Sequence, residues 1–359
     1  MIELRSIWKW VGLGIFTLVC IFLLSNVRYL FMSVHPDQIR VSLGPDMTAE
    51  KLAGVLPGSK VVDPKIALLA VPYGKAQEYA LTAMTTRGVY RASTIPLDHP
   101  VISWRYYASQ VQNQTTGLLH GDFGTFRSPT NLKEMRVIDA IPDMLLRTCT
   151  YFIPGLLMAI VLSIVLALAA SLWRGFGKVI DGVHVLLLGL PDFLLIVLIQ
   201  LGAVYVTRAL GHYVLLVVQV GDKTPFLIPF LAIALIPTVT IYGALRVAMA
   251  RELGQDYVIT ALAKGLTRRE VLMGHVLRNV MEDLLVILPK ATTLALASMA
   301  VAEAICGILG LGGFIISPAV QSISTISIIC MTLAILAMLF HVIYALLHKR
   351  VVIRTREAG

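Results

Sequence analysis

Residues 256–279 read DYVITALAKGLTRREVLMGHVLRN. Asp256 opens a run of helix formers that lasts to Lys264, and an acidic residue suits the positive end of a helix dipole. Gly265 then supplies the residue type that most often ends a helix in a left-handed conformation. Thr267 and Glu270 form T-x-x-E, a capping box that opens a second helix at Arg268, predicted to run to about residue 279. The stretch reads as helix, glycine turn, capped helix. It holds no catalytic grouping, since His275 stands alone. Such an elbow is either an amphipathic hairpin lying on lipid or a rigid knob offered to a partner protein. The defined turn favours the knob, because a lipid-surface helix needs none.

Apolar runs flank the elbow and set the class of the protein. The chain is 57% hydrophobic and 14% charged over 359 residues, with a mean hydropathy of +0.80. An aqueous core cannot hide that much apolar surface, so a bilayer is the expected solvent. Six runs reach the ~20 residues needed to span it: about 8–32, 148–173, 180–206, 226–249, 284–309 and 326–347. Pro191, Pro237 and Pro289 lie inside three of them, as kinks that membrane helices tolerate. The expected fold is an all-α integral membrane protein with six transmembrane helices and a small extracellular subdomain between the first and second. Its expected domains are an anchor helix (1–32), the subdomain (33–140), a five-helix core (141–348) that includes cytoplasmic helices at 254–281, and a tail (349–359).

Lys and Arg set the orientation. Arg5, Lys9, Arg174, Lys178, Arg246, Arg251, Lys264, Arg268, Arg269, Arg278, Lys349, Arg350, Arg354 and Arg356 all fall on one side. The two short loops opposite hold only Arg208 and Lys223 as basic residues. This is the positive-inside pattern, with both termini in the cytoplasm. The net charge of +9 follows the same topology and needs no nucleic acid. Turn signals such as LPGS at 56–59 predict that the long outer segment folds. Its GVLPGSK at 54–60 is one residue short of a phosphate loop and is rejected. Cys20, Cys149, Cys306 and Cys330 sit in or beside apolar runs, as packing residues do. The sequence contains no complete Walker A motif and no nucleophile or metal signature. It is therefore read as a non-enzyme without a cofactor, and any ATP that drives it belongs to another subunit.

The 256–279 stretch resembles the cytoplasmic coupling loop of the permeases of dipeptide and oligopeptide ABC importers. That loop reads D-Y-[VI]-x-T-A-x-A-K-G-[LV], then [VI]-[LI]-x-x-H-x-[LM]-R-N. The matching residues are Asp256, Tyr257, Val258, Thr260, Ala261, Ala263, Lys264, Gly265, Leu266, Val271, Leu272, His275, Leu277, Arg278 and Asn279. The general importer signature is met in part. Ile259 stands where it has Glu and Arg278 where it has Pro, departures typical of the peptide subclass. Residues 97–126 are similar to the family's segment before the second helix, through Leu97, Asp98, Pro100, Leu118, Gly121, Asp122, Phe123 and Gly124. Residues 302–315 are similar to the segment after the fifth, through Glu303, Gly310, Leu311 and Gly312. Cys306 and Leu309 replace an aromatic and a proline there, and residues 33–96 have no match.

The resemblance implies a permease of a bacterial plasma (inner) membrane, paired with a second homologous permease. Two cytoplasmic ATPase subunits would bind ATP and magnesium, and an extracellular or lipid-anchored substrate-binding protein would deliver a peptide substrate. Asp256, Tyr257, Thr260, Ala261, Ala263, Lys264, Gly265, Leu266, His275, Arg278 and Asn279 would form the ATPase-coupling surface.

Several other residues carry expectations of their own. Glu303, acidic at membrane depth, is a candidate for the translocation path or for supporting the turn after it, and Asp192, after Pro191, is a second path candidate. Gly310, Gly312 and Gly313 are expected to permit a sharp turn near the outer gate. Arg147 is expected to snorkel, and His184 and His341 to pack or hydrogen-bond between helices. A secondary transporter would show several intramembrane carboxylates and an inverted repeat, and a receptor would not need five further helices. Neither fits. Nickel or another small chelate is the alternative cargo.

Overall fold

The computed structural model describes residues 2–32, 37–45, 47–72, 75–95, 101–127, 134–211, 216–221, 223–316 and 323–357. Leu97, Asp98 and Pro100 lie outside the described residues, as do 317–322 of the last outer loop. The chain divides into two compact units, Val19–Phe123 and Met1–Leu18 with Gly124–Gly359.

After helix α1 (Ile2–Ser25), the first unit runs β1 (Phe31–Met32), β2 (Gln38–Leu43), α2 (Ala49–Val55), β3 (Lys60–Asp63), β4 (Leu68–Ala70), α3 (Ala76–Thr85), β5 (Val89–Thr94), β6 (Val101–Ile102) and α4 (Trp104–Leu119). Strands β2 to β5 form an antiparallel sheet in the order β3-β4-β2-β5. With α2 and α3 between them, this is the split βαβ arrangement of ferredoxin-like folds. Period-two alternation explains it: β2 buries Ile39 and Val41 and exposes Arg40 and Ser42. The inward residues meet Leu52, Leu69, Ala80 and Ala83. The all-α expectation is therefore corrected for this region.

Among the described residues, the second unit is helical apart from the ribbon β7 (Thr125–Arg127) and β8 (Glu134–Arg136), an isolated bridge between Val220 and Lys223, and connecting turns. It continues α5 (Val137–Leu172), α6 (Arg174–Leu188), α7 (Asp192–Leu210), α8 (Leu227–Leu253), α9 (Asp256–Ala263) and α10 (Arg268–Val271). A π-helical turn (Leu272–Val276) leads into α11 (Leu277–Ile305), followed by α12 (Leu311–Ile316) and α13 (Ile323–Glu357). Among the described residues, five helical stretches are long and apolar enough to cross a membrane: Val137–Leu172, Asp192–Leu210, Leu227–Leu253, Arg268–Ile305 and Ile326–Arg350. A shorter apolar stretch, Gly12–Ser25, lies in α1. Helices α5 and α8 pack through small and hydroxylated residues, the means by which helices associate in lipid. The Thr238 hydroxyl donates to the Ala159 carbonyl at 3.3 Å, and Ser163 donates to the Thr238 carbonyl at 3.3 Å.

Two helix expectations change. The third apolar run is broken at residues 189–191, where Pro191 cannot continue the hydrogen-bond ladder of α6. Only α7 is long enough to span. Helix α6 is amphipathic instead: Val179, Val183 and Leu186 are exposed, while Asp181 accepts from the Tyr242 hydroxyl at 2.5 Å and pairs with Arg246 at 3.2 Å. The second helix of the elbow, predicted to stop near residue 279, runs through the π turn into α11 as one rod from Arg268 to Ile305.

Candidate functional site

The elbow forms as its sequence dictates locally. Gly265 adopts φ +89°, its N–H bonds the Leu262 carbonyl at 3.0 Å, and the Leu266 N–H reaches back to Ala261 at 3.3 Å. That pair of bonds is a Schellman ending. The Thr267 hydroxyl accepts from the Glu270 N–H at 3.3 Å, and the Glu270 carboxylate accepts from the Thr267 N–H at 2.7 Å, completing the capping box.

Tertiary contacts root this elbow in the helical unit. Val258 and Ala261 are buried with Leu245, Met249, Leu272, Val276 and Val280 in one core. The Tyr257 hydroxyl donates to Glu252 at 3.0 Å, and the Asn279 amide reaches the same carboxylate at 3.2 Å. Burial and the Glu252 carboxylate push the Tyr257 phenol above its ordinary range, so it remains a donor. Arg268 donates to the Ser171 carbonyl at 3.0 Å, fixing the start of the rod to the end of α5. Thr260 turns its hydroxyl back onto the Asp256 carbonyl at 3.0 Å.

The opposite face is open. Ile259 is 64% exposed, Leu262 46%, Leu266 36% and Met273 51%, a ridge of large apolar side chains on a charged segment. Asp256, Ala263, Lys264, His275 and Arg278 are exposed around it. Three predicted coupling residues therefore act inward: Ala261 lies in the core, and Tyr257 and Asn279 clamp α9 to α8 and α11. Ile259, Leu262 and Met273 were missed as surface residues. Their signal was present, since an apolar residue that departs from the core-facing spacing has to face elsewhere.

The second constellation surrounds Glu303, which is fully buried. One carboxylate oxygen accepts from the Thr148 hydroxyl at 2.8 Å and from the Tyr151 hydroxyl. The other accepts from the backbone N–H groups of Gly312 and Gly313, each at 2.7 Å. The Leu311 N–H donates to Thr148 at 3.0 Å, and Arg147 donates to the Leu309 carbonyl at 3.0 Å. A Cβ on Gly310 would collide with the Glu303 carboxylate, one on Gly312 with Ala300, and one on Gly313 with the Ile308 carbonyl. The glycines are thus demanded by close approach, and the buried Glu303 holds the turn they form. Arg147, expected to snorkel, is bound within the chain.

Asp192 opens α7 at the Pro191 break and accepts from the Ser298 hydroxyl at 3.1 Å, tying α7 to α11. His184 Nε2 lies 3.0 Å from the Val239 carbonyl and His341 Nε2 3.3 Å from that of Pro289, both contacts between helices.

Residues 136–356 match the family described as binding-protein-dependent transport system inner membrane component. The chain is similar to the dipeptide transport system permease protein DppB of Escherichia coli, 36% identical over 90 residues, which is 25% of this chain and 26% of that protein. That match thus spans about a quarter of the relative's length. It is similar to the oligopeptide transport system permease protein OppB of Mycobacterium tuberculosis, 26% identical over 286 residues, covering 73% of this chain and 83% of the relative. The glutathione transport system permease protein GsiC of Salmonella paratyphi A is 26% identical over 264 residues, with 69% and 74% covered. The family match takes in well over half of the chain, including the elbow and the Glu303 turn. The chain belongs to the family of binding-protein-dependent transport system inner membrane components.

Proposed function

We propose that this chain is one of two homologous permease subunits of an ATP-driven peptide importer, lining half of the translocation path in a bacterial inner membrane with both termini cytoplasmic. Two ATPase subunits bind its cytoplasmic face, and an external binding protein supplies the cargo. The observation that carries this reading is the two-sidedness of the elbow. An apolar ridge of Ile259, Leu262, Leu266 and Met273 faces outward, while Val258 and Ala261 are packed into the core behind it.

Such a helix is a lever. A groove on an ATPase subunit buries the ridge, with apolar burial as the favourable term. When the ATPases close on ATP, α9 moves with them. The Tyr257–Glu252–Asn279 clamp and the core behind α9 pass that displacement to α8 and α11 as a rigid-body shift. ATP chemistry stays in the partner. The peptide cargo is supported by the names of the dipeptide and oligopeptide relatives and by the 256–279 stretch.

The test is cross-linking of single cysteines at Ile259 and Ala263, in a chain freed of Cys20, Cys149, Cys306 and Cys330, to co-expressed ATPase subunits in membranes. A nucleotide-sensitive cross-link is expected at both, and none at buried Ala261. If both sites label from the lipid phase and neither reaches an ATPase, the coupling role is wrong.

A further inference from the structure

We infer that a cavity between the first turns of α5 and the segment leading into α8 binds the two charged ends of a short peptide. The cavity holds about 310 Å³ and is lined by Asp143, Arg147, Thr150, Tyr151, Thr224 and Phe226, among others. That volume lies at the lower end of the ~300–1,000 Å³ usual for ligand pockets. It sits at the end of α5 remote from the elbow, since the other end of α5 meets Arg268.

Its charges are arranged for a zwitterion. Asp143 and Arg147 stand four residues apart on one helix face, a spacing at which opposite charges commonly pair. Here they do not. Arg147 turns one nitrogen to the Leu309 carbonyl at 3.0 Å, and among the described residues Asp143 makes no hydrogen bond or ion pair. The carboxylate is left for an ammonium group, and the remaining guanidinium donors for a carboxylate, the bidentate partner an arginine fits best. Four helical residues advance about 6 Å along the axis, close to the roughly 7 Å reach of two extended residues. For the peptide bond between the ends, the Thr224 hydroxyl offers a donor and an acceptor, and the Thr150 hydroxyl, which donates to the Leu146 carbonyl at 2.8 Å, offers an acceptor. Phe226, stacked on Phe230 with ring centroids 5.3 Å apart, gives an apolar wall for a side chain.

The site is wired to the turn. Arg147 holds Leu309, and Tyr151 donates to Glu303, which fixes Gly312 and Gly313. An occupant therefore touches Arg147, which holds Leu309, and lies beside Tyr151, which donates to the Glu303 carboxylate behind residues 310–313. This inference rests on the peptide reading of the chain and adds a binding site to it.

The test is equilibrium binding of radiolabelled dialanine to the full-length chain in phosphatidylcholine nanodiscs, alongside peptide uptake by the complete importer in vesicles. Dialanine is expected to bind, and N-acetyl-dialanine amide, which lacks both charges, to bind at least about tenfold more weakly. Asp143→Asn and Arg147→Gln are each expected to lose at least about tenfold in dialanine affinity. Asp143→Asn is the decisive variant, because among the described residues Asp143 makes no hydrogen bond or ion pair that holds the fold. Absent binding, equal binding of the capped peptide, or an unaltered Asp143→Asn overturns the site. Displacement by phosphoethanolamine at equal concentration assigns the cavity to a lipid headgroup and overturns it too. Wild-type uptake that persists unchanged in both variants rejects the site while the permease reading stands. A wild-type importer that moves no peptide rejects the reading itself.

Discussion

Two chain reversals in the helical unit are built on glycine, and they do opposite things. At the elbow, Gly265 is there for its φ of +89°, with open space where a Cβ would stand. The turn leaves Ile259, Leu262, Leu266 and Met273 in the open. After α11, Gly310, Gly312 and Gly313 are there because Glu303, Ala300 and the Ile308 carbonyl leave no room for a side chain. The Leu311, Gly312 and Gly313 N–H groups of that turn are drawn inward. The first reversal presents a surface and is held from behind. The second is a lock, held by a buried carboxylate that four donors satisfy. A local backbone requirement makes a turn that others can touch, whereas a packing requirement makes one that only its own chain can touch.

Substitutions can break that contrast, and their effects on stability fall in order. Glu303→Ala should be the most damaging, because each buried donor left unpaired costs about 1–3 kcal/mol. The expected result is loss of the monodisperse species on size-exclusion chromatography in detergent, with Glu303→Gln intermediate. A Glu303→Ala chain as stable as wild type would mean that the carboxylate is no lock. Gly312→Ala comes next, at about 1–3 kcal/mol for overpacking, read as a lowered melting temperature in detergent.

Gly265→Ala should cost about 1–2 kcal/mol, the penalty for a left-handed non-glycine residue. Because nothing crowds that position, the chain should stay folded, and cross-linking from Ala263 to the ATPase should fall instead. Ile259→Asp is expected to change stability least, within about 0.5 kcal/mol as for other surface changes, while abolishing co-purification of the ATPase subunits. An Ile259→Asp chain that unfolds would show that the ridge belongs to the core. Retained co-purification would remove it from the docking surface.

What the sequence determined by itself is local or compositional. The Gly265 ending and the Thr267–Glu270 box were readable because each is closed by residues no more than five apart, with the same bonds in any context. The membrane class was readable because apolar area sums along the chain regardless of contacts. Tertiary structure decided the rest. DYVITALA carries apolar residues on more than one face, so only the core behind it selects Val258 and Ala261 for burial and turns Ile259 and Leu262 outward. Pro191 reads equally as a kink or a break until the neighbours of α6 and α7 are known. The sheet of the first unit joins strands of three to six residues across intervening helices. The lock joins Thr148 and Tyr151 to a glutamate about 150 residues away. Such pairings leave no period in the sequence, because the free energy that selects them comes from burying groups distant in the chain against one another.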